Sequence, residues 1–286
     1  MDIRIVNTCN NDCLYCLEQS YRTRDPSISL EILYAELAGN LDRDSLTFYG
    51  WNPLLHPHIE EIMNHARTLG YKSLGILSNT GWLSPSLLEQ LVWAWLSTFW
   101  VYFHTFHEWY HDLITGSGIP YRVLLQNLEL LAHSSLQVRI IIHINGITIN
   151  SVYRDIILLY KNYWIQNFEF VNYFPFDRPY EKYKSLLHYD IAEKREKIDT
   201  LFKVIKKLNL RTNFVKFSRD FFWEFDTYYN YEKGILAQIG EEDISRLNTK
   251  DDMPPFCFEE KRCPACFIKD NCKFYGNRSP DSRKIV

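Results

Sequence analysis

Three cysteines stand close together near the start of the chain, in Cys9-Asn-Asn-Asp-Cys13-Leu-Tyr-Cys16. Thiolates are ligands for iron–sulfur clusters and for zinc. Three of them can hold three irons of a four-iron, four-sulfur cubane and leave the fourth iron open. An open iron can bind a small molecule and pass it an electron. A structural zinc site wants four closed ligands, usually as two close pairs, and no fourth cysteine or histidine is near. Three is also an odd number for a disulfide framework. The spacing favours an iron–sulfur loop, with zinc or inert thiols as the alternatives.

The other four cysteines, Cys257, Cys263, Cys266 and Cys272, lie near the far end, and none of the seven falls between the two groups. Cysteines used as core filler would scatter. The second group can hold another cluster or close a four-cysteine zinc knob.

The chain between them must position these ligands. Ile3–Val6 reads as a short buried strand. Ser29 caps a helix through Leu30, Ile32, Leu33 and Leu37. Strands follow at 45–49, 72–78, 98–104, 137–145 and 167–173. Helices are expected at 57–69, closed by Gly70, and at 84–96, with an aromatic face of Trp93 and Trp95. Two more are expected at 121–133 and 150–163. This alternation predicts an α/β fold, a parallel sheet with helices outside it. Six units fall short of the eight that close a barrel, so the expected architecture is a partial (β/α)6 TIM-like barrel with a small C-terminal cysteine-rich extension. From 176 to 187 the chain turns polar and tyrosine-rich, with Pro175 and Pro179 as breakers. A charged helix is expected at 191–208 with Ile198, Leu201, Phe202 and Ile205 as its apolar stripe, and 213–217 offers a further strand. The expected division is a barrel at 1–180, a helical and aromatic-rich connecting region at 181–250, and the cysteine extension at 251–286.

In parallel barrels the working face lies at the C-terminal ends of the strands. Those ends read as the Cys9 loop, Gly50-Trp51-Asn52-Pro53, Ser78-Asn79, His104-Thr105, His143 with Asn145, and Asn172 with Tyr173. Polar residues and the cysteines gather at one rim. His107, Glu108, His111 and Asp112 read as a polar rim loop ahead of Gly116-Ser-Gly118, with a metal site as the sharper alternative.

The cysteine spacing, with the aromatic Tyr15 just before the third cysteine, resembles the radical S-adenosylmethionine (SAM) superfamily. The stretch Leu46-Thr-Phe-Tyr-Gly50-Trp51-Asn52-Pro53-Leu-Leu-His56-Pro57 is similar to the family's Gly-Gly-Glu-Pro motif with its Leu-Leu-His-Pro tail. Trp51 stands for the second glycine and Asn52 for the glutamate. Ser78-Asn79 is similar to the segment near the methionyl and ribose groups of SAM. His104 stands where the family often has an acid. The resemblance implies that Cys9, Cys13 and Cys16 hold a [4Fe-4S] cluster. It implies that Tyr15, Gly50, Trp51, Asn52, Pro53, Ser78, Asn79 and His104 surround SAM. It further implies reductive cleavage of SAM to a 5′-deoxyadenosyl radical and abstraction of a hydrogen from substrate. His104, Tyr102 and Tyr173 are the candidates at the rim for a catalytic part. The segment Cys263-x2-Cys266-x5-Cys272, with Cys257 as a fourth ligand, resembles a shortened SPASM or twitch extension and implies a second [4Fe-4S] cluster, with zinc as the alternative. That tail points to a peptide or protein side chain as substrate, with small-molecule or cofactor biosynthesis next. A flavodoxin or ferredoxin is the implied electron donor. A non-catalytic, metal-stapled binding protein is the rival of another class.

Composition narrows the partners. A formal charge of −3 argues against a general nucleic-acid binder. No apolar run is long enough to span a membrane. The first strand begins almost at the N-terminus, so neither a targeting peptide nor a leader-binding module is expected before Cys9, and the expected compartment is the cytoplasm.

Overall fold

The computed structural model describes residues 1–16, 27–172, 178–217 and 221–222, with 178–182 as backbone. Seven parallel strands form one sheet in sequence order: β1 (Asp2–Arg4), β2 (Ser45–Tyr49), β3 (Ser73–Ser78), β4 (Leu96–Phe103), β5 (Gln137–Ile144), β6 (Asn167–Asn172) and β7 (Arg211–Val215). The strand suspected at 213–217 is therefore real and adds a seventh member to the six counted from the sequence. Helices fill the crossovers: α1 (Leu30–Gly39), α2 (Ile59–Thr68), α3 (Pro85–Trp93), α4 (Glu108–Thr115), α5 (Tyr121–Ala132), α6 (Val152–Tyr163), α7 (Arg178–Leu187) and α8 (Arg195–Leu208). Among the described residues no helix is long and apolar enough to cross a membrane.

Local chemistry starts the helices. Ser29 Oγ accepts the Ile32 N–H and Ser84 Oγ accepts the Leu87 N–H, each satisfying an orphan donor of the first turn. The α8 stripe is buried as expected, at Ile198, Leu201, Phe202 and Ile205. This helix and β7 lie in the segment expected to connect barrel and tail, and both continue the β–α alternation. Phe221 and Phe222 pack into the same core.

Three expectations change. The helix expected to reach Leu96 stops at Trp93, because Trp95 adopts a left-handed turn at φ 69° and β4 begins at Leu96. The expected aromatic face is exposed: Trp93 and Trp95 face solvent, and the Arg67 guanidinium stacks over Trp95 at 3.8 Å. The segment 176–187, read as broken by prolines, contains α7. Pro179 falls in its first turn, where a missing N–H costs nothing.

Candidate active site at the strand C-termini

The loop after β1 carries the cysteines, all three half-buried. Its backbone is pinned to the end of α4: Asp12 N–H donates to Thr115 O and Leu14 N–H to Ile114 O, both at 2.9 Å. Cys16 N–H donates to Cys13 O at 3.1 Å, turning the loop back on itself. Helix α4 closes with Gly116 at φ 64°. Gly118 lies so close to the loop that a Cβ there would meet the Asn10 carbonyl.

The segment 107–112, read as a loop, is mostly helix. His107 precedes α4, and Glu108 sits in its first turn, where the helix dipole favours an acid. The inward stripe is His111, Ile114 and Thr115. A histidine and a threonine occupy positions where an aliphatic residue would have marked the helix. His111 Nε2 bonds to Ile119 O at 3.1 Å, and its buried Nδ1 has no partner among the described residues.

Asn10, between the first two cysteines, joins three strand ends. Its Oδ1 accepts from Asn52 Nδ2 at 3.1 Å and from Asn79 Nδ2 at 3.0 Å. Ser78 Oγ donates to Asn52 Oδ1 at 2.8 Å and accepts the Thr80 N–H at 2.9 Å. Asn52, in place of an acid, is thus a fully buried structural amide that also caps the turn Pro53–Leu55. His56, from the Leu-Leu-His-Pro tail, reaches Ile28 O at 3.2 Å and holds the chain that enters α1. Gly50 is required where it stands. Its φ is 107°, and a Cβ would sit 2.5 Å from Val6 O.

The donor set fits a thiolate-bound cluster and an acceptor-rich ligand. Cys9 Sγ receives the Asn11 N–H at 3.3 Å and Asn79 Nδ2 at 3.4 Å. Such donors stabilise negative sulfur. The Trp51 indole N–H and the Thr80 hydroxyl are buried with no partner among the described residues. Both follow strands that end at this rim, and a buried donor without an acceptor is a place for a ligand.

Tyr15 and His104 form a buried pair, with Tyr15 OH 2.6 Å from His104 Nδ1. His143 lies beside Tyr15 at 5.2 Å between ring centroids, and Tyr102 is 6.0 Å from His143. Tyr173 and the four C-terminal cysteines, Cys257, Cys263, Cys266 and Cys272, lie outside the described residues. The buried Asp155 of α6 accepts the Phe106 N–H at 3.2 Å and the Ser151 hydroxyl at 2.9 Å, fixing the turn that follows His104. Asn10, Gly118, Asp155 and His143 went unassigned from sequence. Only His143 and the Gly116-Ser-Gly118 turn left a signal there, as a strand end and a Gly-x-Gly pair.

Burial keeps the histidines neutral. It holds His104 well below the usual value, helped by His111 and His143, and it pushes His143 down to about 4, helped by the Lys216 ammonium. An unfolded chain protonates these groups near pH 6.5, and the folded chain resists. The stabilising contribution is therefore complete above about pH 6.5 and is lost as pH falls toward 4. Melting curves of the cluster-free protein should show a melting temperature (Tm) that drops across this window, and His143→Gln should flatten the drop. An unchanged slope in the variant would refute it.

Known proteins resemble this arrangement. Two curated relatives named "Probable GTP 3′,8-cyclase", from two strains of Saccharolobus islandicus, are 30% identical over 127 residues, 43% of this chain and 41% of theirs. The chain thus matches well under half the length of these relatives. Among solved structures, Streptococcus suis SuiB bound to the precursor peptide SuiA superimposes with a TM-score of 0.59 at 16% identity, over 81% of this chain and 52% of that one. The structure of anSMEcpe with bound AdoMet gives 0.60 at 16% identity, over 74% and 61%. At such identities the likeness shows the fold, a partial barrel. The Radical SAM superfamily model matches residues 3–159, more than half of the chain. With the cysteine loop and the rim that grips it, that match establishes that this chain belongs to the Radical SAM superfamily.

Proposed function

We propose that the protein reductively cleaves SAM at the rim and uses the product to abstract hydrogen from a peptide or protein side chain. The observation that carries this reading is the cysteine loop, whose Cys9 thiolate and Asn10 side chain are gripped by Asn79 and Asn52 from two other strand ends. When bound, a [4Fe-4S] cluster on Cys9, Cys13 and Cys16 supplies the electron for SAM cleavage to methionine and a 5′-deoxyadenosyl radical. The chain's own residues do the rest. Asn11 and Asn79 donate hydrogen bonds to Cys9 Sγ. Gly50 brings the backbone of the β2 turn against the end of β1, and Trp51 and Thr80 offer buried hydrogen-bonding groups to the ligand. Tyr15, His104 and His143 present a neutral, water-poor wall in which a reactive radical is protected from solvent.

The peptide reading is supported by the fold shared with SuiB, solved with a precursor peptide, and by the SPASM-like spacing of Cys257, Cys263, Cys266 and Cys272. On this reading residues 251–286 carry a second [4Fe-4S] cluster or zinc, beyond a barrel domain and its connecting segment. A flavodoxin or ferredoxin supplies electrons, in a cytoplasm reducing enough to keep the thiols intact. A second reading, a small-molecule step in cofactor building, is favoured by the curated cyclase relatives.

Anaerobic reconstitution tests the proposal. Iron and sulfide are counted, then dithionite and SAM are added and 5′-deoxyadenosine is measured. About eight irons per chain with 5′-deoxyadenosine formed is the expected result. About four irons with zinc, and cleavage retained, would make the tail structural. Zinc alone without cleavage would overturn the enzyme reading.

A further inference from the structure

Strand side chains alternate between the two faces of a sheet. The helix-covered face of β4 to β6 is aliphatic and phenyl, as at Val101, Phe103, Ile142 and Phe170, all fully buried. The opposite face of the same strands carries Trp100, Tyr102, Arg139, His143 and Glu169, all half-buried. Closed parallel barrels fill this inner face with branched aliphatics. Here, among the described residues, it is largely polar and aromatic beside Ile141, and its side chains are only partly covered.

The register places Tyr102, Ile141, Glu169 and Asn213 in one row across β4 to β7, just below the row of His143. Asn213 Nδ2 donates to Glu169 Oε2 at 3.0 Å and fixes the carboxylate. No hydrogen bond reaches Oε1 among the described residues. Arg139 does not close on Glu169. Its guanidinium lies over the Trp100 ring at 4.7 Å and donates twice to Gln137 Oε1, at 3.2 and 3.0 Å. Burial raises the Glu169 pKa, and the Asp2 carboxylate adds to it more weakly. Asn213 and Arg139 act the other way. A carboxylate held on one oxygen and a tyrosine ring two strands away, roughly 10 Å along the sheet, together complement a cation.

We infer that Glu169 is the specificity-determining acceptor of the substrate chamber. It takes a basic nitrogen, the ammonium or guanidinium of a lysine- or arginine-like group, with Tyr102 as the aromatic wall. The inference rests on the radical SAM reading of the rim above it. It directs the search toward substrates that carry a basic side chain.

The test uses the reconstituted full chain with SAM and two probes, N-acetyl-L-lysine methylamide and N-acetyl-L-norleucine methylamide, which differ by the terminal ammonium. Binding is followed by ligand-observed NMR titration. The lysine probe should bind about tenfold or more tightly than the norleucine probe. Glu169→Gln should erase the preference. Probes that bind the wild-type protein alike, or not at all, overturn the inference, and this comparison needs no variant to fold. So does a preference that survives Glu169→Gln. Substrate-free SAM cleavage by the wild-type protein is measured alongside. Cleavage without a lysine preference defeats the cation site alone. A lysine preference without cleavage supports the cation site and defeats the radical reading.

Discussion

Cys16→Ala is expected to reduce 5′-deoxyadenosine formation to background and to remove about four irons per chain. The physical ground is the donor set. Only three thiolates stand in the N-terminal loop, and loss of one leaves two ligands for a cluster that needs three. The fold should survive the change. Cys16 is half-buried, and its backbone N–H, which donates to Cys13 O at 3.1 Å, is present in alanine too. Circular dichroism and Tm of the cluster-free protein should match the wild type, so lost activity reports on the cluster. Cys266→Ala is the informative contrast. On the proposed division of labour it leaves SAM cleavage running, uncoupled from product, and lowers iron by the tail's share alone. Normal turnover in Cys16→Ala would end the assignment of the loop.

The sequence displayed its ligands more clearly than the framework that grips them. Cysteine spacing is local, and so are the Ser29 cap and the buried stripe of α8; each is visible within one or two helical turns. Strand existence was legible because buried runs such as Ile140–Ile144 stand between turn residues. Helix α4 was not legible, because its inward stripe substitutes His111 and Thr115 for aliphatics. The α3–β4 boundary was missed because Trp95 occupies a left-handed position usually taken by glycine or asparagine. Asn10 was hidden for a different reason. Its partners lie 42 and 69 residues away, and side-chain bonds between strand ends leave no periodic trace. Glu169 was unreadable alone, since its meaning depends on which face of β6 it occupies and on Asn213 across the register.

Gly118→Ala is expected to damage the cysteine loop directly, because a Cβ there has no room beside its backbone. Nothing about the residue's own backbone forbids alanine. The obstacle is the neighbour: a Cβ would press on the Asn10 carbonyl and approach the Asn11 Cα to 2.7 Å. These are backbone atoms of the cysteine loop, which cannot rotate away as a side-chain tip can. The loop is also pinned just beyond these atoms, by Asp12 to Thr115 and by Leu14 to Ile114. Displacement must therefore fall on residues 9–11. That shift pulls Asn10 Oδ1 from the Asn52 and Asn79 amides and moves the Cys9 thiolate off its two N–H donors. Overpacking of this kind costs about 1–3 kcal/mol, and each buried amide left without its acceptor adds about 1–3 kcal/mol. A fall in Tm of about 5 °C or more follows for a domain of this size, together with incomplete iron loading and weakened SAM binding by equilibrium dialysis. Gly39→Ala is the control, since a Cβ there meets nothing within 4 Å and alanine is the better helix former by about 1 kcal/mol. Both variants lose a glycine, so unfolded-state entropy cancels between them. Wild-type iron content and Tm in Gly118→Ala would show that the cysteine loop is not held in place by the turn that closes α4.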